Sequence, residues 1–204
     1  MYMRTVIFAS VLFVATGFFS MSGAAVSLPK TGQTLCYDAD GTMVDCVGTG
    51  QDGELQMGVP WPLPRFVQGT GDESDCMLDT LTGLMWPRVA GTTLYTWQDA
   101  LTYSNDLTLC GHSDWRLPNL NELGSLNNAN EQYTNRWLNS LGFSGLGEGA
   151  QAMYLTSSTL AADPEYAWFV WIHGGNYWWQ LKTNTGYAFP VRGTSNGPSR
   201  IWRT

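Results

Sequence analysis

Charged side chains are scarce in this sequence. Asp, Glu, Lys and Arg together make up 13% of its 204 residues, about half the usual share. Basic residues are the scarcest: ten stand against seventeen acidic ones, for a formal net charge of −7. Such a chain carries no electrostatic footprint for DNA or RNA, which excludes nucleic acid as a partner. After residue 25 no apolar run is long enough for a membrane-crossing helix. The four cysteines never occur as C-x-x-C, which argues against a zinc site. No G-x-S-x-G elbow is present, and His112 is followed directly by Ser113 and Asp114, neighbours that cannot converge as a relay. What the chain does have is Trp 10, Tyr 9, Phe 8 and Gly 23, with 44% hydrophobic residues. That composition supports a packed core, excludes disorder and suits an extracellular binding surface.

Residues 1–25 read as a secretory signal. Arg4 forms the positive start, Val6 to Phe19 the apolar stretch, and Ser22, Gly23, Ala24 and Ala25 the cleavage zone. An exported product with an even cysteine count is expected to form two disulfides, for which three pairings exist. Cys36 and Cys46 flank the turn sequence Asp38-Ala39-Asp40-Gly41, so they are paired with each other and Cys76 with Cys110. Leu28-Pro29-Lys30-Thr31-Gly32 spells a sortase signal at the wrong end of the chain and is read as coincidence.

Residues 26–64, rich in Gly, Thr, Asp and Pro, form an N-terminal arm pinned by its disulfide. Residues 65–193 form the packed domain and 194–204 a tail. Leu81-Thr82-Gly83-Leu84 is a turn between short strands. Thr96 caps a first helix, with Asp99 three residues on, that runs to near Gly111; Asn119 and Glu122 form a capping box for a second. Residues 127–149 are expected to be a long loop with one short helix. Three strand-like runs follow, Tyr166 to Ile172, Tyr177 to Lys182 and Tyr187 to Arg192, and predict a meander. A two-residue turn at Gly174-Gly175 pairs Trp171 with Trp178 and Val170 with Trp179. Trp168, Val170, Ile172, Tyr177, Trp179 and Leu181 then face the core, joined by Phe189 and Val191. The reverse face carries Phe169, Trp171, His173, Asn176, Trp178, Gln180 and Lys182, with Arg192 opposite Trp178.

Four motifs in order now stand out: Leu81-Thr82-Gly83-Leu84-Met85-Trp86, Thr96-Trp97-Gln98-Asp99-Ala100-Leu101, Ser113-Asp114-Trp115-Arg116-Leu117-Pro118-Asn119 and Phe189-Pro190-Val191-Arg192-Gly193. Over roughly residues 32–193 the chain resembles the family named after the C-terminal domain of the Legionella collagen-like adhesin. That resemblance implies an α+β, C-type-lectin-like fold: two helices flanking a small twisted antiparallel sheet with long loops. The namesake binds sulfated glycosaminoglycans, which requires a basic surface, and this acidic chain departs from it there. Glu-Pro-Asn and Gln-Pro-Asp, the calcium-dependent sugar loops of C-type lectins, are absent. So are the late paired cysteines of the similarly folded formylglycine-generating enzymes.

The expected ligand site is Trp171, Asn176, Trp178, Gln180 and Arg192. Indole faces stack on the C–H face of a sugar while amides hydrogen-bond its hydroxyls. Asp38, Asp40 and Asp45, and Asp72, Asp75 and Asp79, miss EF-hand spacing and are read as solvated turn residues. No metal, cofactor or catalytic residue is expected. Trp115, Arg116 and Asn119 are read as structural, with Arg116 available to Glu122. The chain is therefore expected to be a non-enzymatic recognition or adhesion module, secreted, periplasmic or at the cell surface, binding glycan or a surface protein. The alternative is a structural subunit that forms a homo-oligomer through the same aromatic face.

Overall fold

Helix starts follow the capping chemistry written in the sequence. In the computed structural model, which describes residues 28–147 and 152–193, the Thr96 hydroxyl accepts from the Asp99 backbone N–H and opens α2 (Trp97–Asp106). That helix stops short of Gly111 because Leu107 already has extended backbone. The Asn119 side chain accepts from Glu122 N–H, and the Glu122 carboxylate accepts from Asn119 N–H, each at 2.9 Å. This reciprocal box opens α3 (Leu120–Gly124). The loop beyond holds one short helix, α4 (Thr134–Ser140). The expected signal segment and the tail 194–204 lie outside the described residues.

In the arm, strands β1 (Cys36–Tyr37) and β2 (Met43–Val44) form a hairpin closed by the Cys36–Cys46 disulfide, followed by the one-turn helix α1 (Asp52–Leu55). A three-stranded antiparallel sheet comprises β3 (Phe66–Gln68), β4 (Cys76–Asp79) and β5 (Met85–Pro87). The turn expected at Leu81 to Leu84 joins the last two. Cys76 bridges to Cys110, so both pairings stand as expected.

The larger sheet has β6 (Leu94–Thr96), β7 (Met153–Thr159), β8 (Tyr166–Trp171), β9 (Asn176–Leu181) and β10 (Thr185–Tyr187), ordered β6-β10-β7-β8-β9. Three expectations fail here. The hairpin turn has four residues, not two, so Trp171 pairs with Asn176, Val170 with Tyr177 and Phe169 with Trp178. Ile172 is drawn wholly into the core and His173 is engaged by Tyr133 and Asn135, which leaves neither at a strand end. The slip is by two residues, an even number, so each side chain keeps its predicted face.

The expected third strand does not extend the meander. After β9 the chain crosses to the far half of the sheet, where β10 pairs antiparallel with β6 and parallel with β7. The sheet is therefore mixed, and the molecule is α+β, with four α-helices and three sheets among the described residues rather than two helices on one antiparallel sheet. Phe189 and Val191 still reach the core, beside Trp86, Tyr154, Val170 and Ile172, but from a different direction. Tyr177 and Trp179 were expected inside and are exposed, because β9 is the sheet's edge and lies beyond the core's reach.

α2 covers one half of the opposite sheet face. Ala100 packs with Leu155 of β7, Ala188 and Leu117, and Leu101, Tyr95 and Tyr103 close the edges. The helix contacts β6, β10 and β7. Among the described residues no helix is long and apolar enough to cross a membrane.

Candidate functional site: an aromatic groove on the sheet

Beyond the reach of α2, the same sheet face continues across β7, β8 and β9. The register sets two parallel rows on it. Met153, Trp171 and Asn176 lie side by side across the three strands, and so do Leu155, Phe169 and Trp178. Alternation along each strand turns these side chains to one side. Met153, Phe169, Trp171, Asn176 and Trp178 line a groove of about 300 Å³. Phe169 is buried and forms its floor, Trp171 is half-buried, and Trp178 is 59% exposed.

The Trp178 ring is held in place. It stacks on Trp179 with centroids 5.0 Å apart and planes 3° from parallel, and Trp179 in turn meets Trp168 edge-on at 5.5 Å. An indole clamped in this way presents a flat apolar surface with little ordering left to lose on contact. Asn176 is exposed at the end of its row. Gln180, further along β9 opposite Ala167, has its Nε2 buried without a hydrogen-bond partner among the described residues. None of the lining residues among the described ones is charged, so the groove selects for apolar faces and neutral hydrogen-bonding groups.

Of the five expected ligand residues, Trp171, Asn176 and Trp178 share this groove and Gln180 lies on the same strand face. Arg192 is elsewhere. It does not oppose Trp178 but bridges to Met85 at the edge of the smaller sheet. Its Nε and Nη2 donate to the Asp114 carboxylate at 2.7 and 3.1 Å. These hydrogen bonds and the Arg192 charge hold the Asp114 carboxyl below its ordinary range against slight burial. The crossover into β10 carries Arg192 away from β9, so a cation–π pair with Trp178 has no geometric basis. Lys182 instead sits 4.1 Å over the Trp97 ring.

The remaining candidates take structural positions. Trp115 is buried and donates to the Leu109 carbonyl, and Arg116 grips Glu122 with two bonds of 2.6 and 2.7 Å. His112 lies 3.0 Å from Glu73, and His173 stacks on Tyr133 at 4.4 Å with Nδ1 3.1 Å from Asn135. The two histidines thus serve unrelated contacts. Asp38 and Asp45 accept backbone N–H groups in their turns. Asp79 corrects the reading of solvated aspartates, since it is fully buried against Arg65. Met153 was not anticipated; Met153 to Thr159 does not alternate, and its signal is the strand propensity of Tyr154, Thr156 and Thr159.

A family model described as the Lcl C-terminal domain matches residues 75–192, more than half of the chain. Comparison with curated proteins gives no match.

Proposed function

The chain belongs to the Lcl C-terminal domain family, and from that premise we propose that it is an exported, non-enzymatic recognition module of C-type-lectin-like fold that binds glycan through the sheet groove. One observation carries the reading: Trp171, Asn176 and Trp178 converge on a single uncharged concavity floored by Phe169. Neutral sugars suit it, since their C–H faces stack on indole and their hydroxyls meet amides. Two disulfides fit an oxidising location outside the cytoplasm, whether periplasm, cell surface or medium. The acidic net charge argues against a sulfated polyanion as ligand.

The alternative use of this face is self-association. β9 is an edge strand without charge or proline, and Tyr177, Trp178 and Trp179 are exposed along it. A glycan-array screen of the exported protein, run beside light scattering on a sizing column, separates the two. Retention of defined glycans by a monomer, abolished in Trp178→Ala with an unchanged melting profile, supports recognition. No retention, with an assembly that Trp178→Ala dissolves, supports the structural role.

A further inference from the structure

A second concavity lies where the N-terminal arm meets the loop before α4. It has a volume of about 440 Å³ and shares no lining residue with the sheet groove. Its walls are aromatic: Trp61 and Trp137 tilt against each other at 5.6 Å, and Phe66 meets Trp137 edge-on at 5.9 Å. Leu63, 96% exposed, stands at the rim. Trp61 is pinned by donation from its indole N–H to the Lys30 carbonyl at 2.8 Å. Gly32 packs so closely that a β-carbon there would overlap both the Trp61 ring and the Asn128 amide.

The side-chain amides of this cavity have their oxygens turned to bonds within the protein. Asn128 Oδ1 accepts from Asn130 N–H at 3.0 Å. Asn130 Oδ1 accepts from the backbone N–H and hydroxyl of Thr34 at 2.9 and 3.0 Å. These bonds fix both amides with Nδ2 as the group left to donate. Arg65, 5% exposed, lies between the Trp61 and Phe66 rings, its guanidinium carbon 4.5 and 4.7 Å from their centroids. Nε and Nη2 serve Asp79 and the Ser125 carbonyl, while Nη1 is buried with no hydrogen-bond partner among the described residues. A buried donor left unmet costs about 1 to 3 kcal/mol, so a native site holding one calls for an acceptor.

We propose that this cavity is a second ligand site, taking a neutral N-acetylated sugar whose carbonyl and ring oxygens meet the Arg65, Asn128 and Asn130 donors while its apolar face lies on the Trp61 and Trp137 indoles. Neutrality follows from Asp79, which already balances the Arg65 charge; a second anion beside it would be repelled. An amide carbonyl is the strongest neutral acceptor such a ring offers. An extended peptide fits less well, because it brings a backbone N–H at nearly every residue, while of the lining amide oxygens Asn130 Oδ1 already accepts two bonds and Asn128 Oδ1 one.

The test is an NMR titration of the ¹⁵N-labelled, disulfide-bonded protein with N,N′,N″-triacetylchitotriose. The expected result is a joint shift of the Trp61 and Trp137 indole N–H signals and the Asn128 and Asn130 side-chain amides. Asn130→Asp keeps the oxygen that Thr34 needs but loses the donor, and it weakens binding about tenfold. Leu63→Arg, at a rim position the core does not use, obstructs the mouth and weakens it similarly. Absence of shifts at those four side chains overturns the site. Shifts confined to Trp171 and Trp178 also overturn it while leaving the groove reading intact. A proline-rich decapeptide that displaces the sugar at lower concentration, or unweakened binding in both variants with native spectra, overturns it as well.

Discussion

Arg65 and Asp79 form a bidentate ion pair entirely inside the protein, with bonds of 3.1 and 2.9 Å and side-chain exposures of 4% and 0%. The pair ties the start of β3 to the end of β4, and Arg65 carries the link on to the Ser125 carbonyl after α3. Removing one partner leaves a buried charge without compensation. Asp79→Ala is expected to lower stability by about 3 to 5 kcal/mol in urea unfolding, whereas the apolar double replacement Arg65→Met with Asp79→Leu recovers much of that loss. Equal destabilisation by both variants would show that the pair's role is packing alone.

The two disulfides differ in what they close. Cys76–Cys110 spans 34 residues and is packed with Trp115, while Cys36–Cys46 spans 10 at an exposed hairpin. Chain entropy sets the first at about 3 to 4 kcal/mol and the second about 1 kcal/mol lower. Calorimetry of the paired Cys→Ala variants checks the order: loss of the first bridge lowers the main transition more.

Glu122 sits in the capping box and in the grip of Arg116. Burial disfavours its charge, but hydrogen bonds from Arg116 and from Asn119 N–H, with the Arg116 charge, outweigh it and hold its pKa below the ordinary 4.5. A carboxyl with a depressed folded-state pKa adds stability above its unfolded pKa and loses it as pH falls through the folded value. Glu122→Gln should therefore cost roughly 1 to 3 kcal/mol at pH 7, with the gap to wild type closing as unfolding is measured from pH 5 down to pH 2. A gap that stays constant with pH would assign the loss to geometry rather than charge.

Gly186, in β10, lies against Leu155 and the Met153 carbonyl of β7. A β-carbon would come within 3.0 Å of Leu155 Cγ and 3.1 Å of that carbonyl oxygen. Gly186→Ala is expected to destabilise by about 1 to 3 kcal/mol through overpacking. Hydrogen exchange should quicken at β6 and β10 while β8 and β9 stay protected; uniform quickening would contradict the crossover.

The elements read most accurately from the residues were those set by short-range chemistry. The two helix caps depend on a side chain reaching a backbone N–H three residues on, and the Cys36–Cys46 bridge on a turn between its ends. The face of each residue in the β8–β9 hairpin survived an error in turn length because a slip of two leaves strand alternation unchanged. Burial was less legible. Tyr177 and Trp179 share a face with Val170 and Ile172, but being on the core's side of an edge strand does not put a side chain in the core.

Partner choice was the part no local pattern held. The Gly-containing segment before Tyr187 reads as a hairpin loop, yet Thr185–Tyr187 found its hydrogen bonds on β6 and β7, and that crossover moved Arg192 from Trp178 to Asp114. Arg65 and Asp79 gave no sign of each other because neither a helical nor a strand period links them. The amino-acid order by itself determined the starts of α2 and α3, the Cys36–Cys46 pairing and the strand faces of the β8–β9 hairpin, all of which rest on contacts between near neighbours or on backbone alternation. Only the tertiary structure decided which strands meet, which charges pair and which aromatic surfaces remain open, because those depend on the chain's closing distant segments around one shared core.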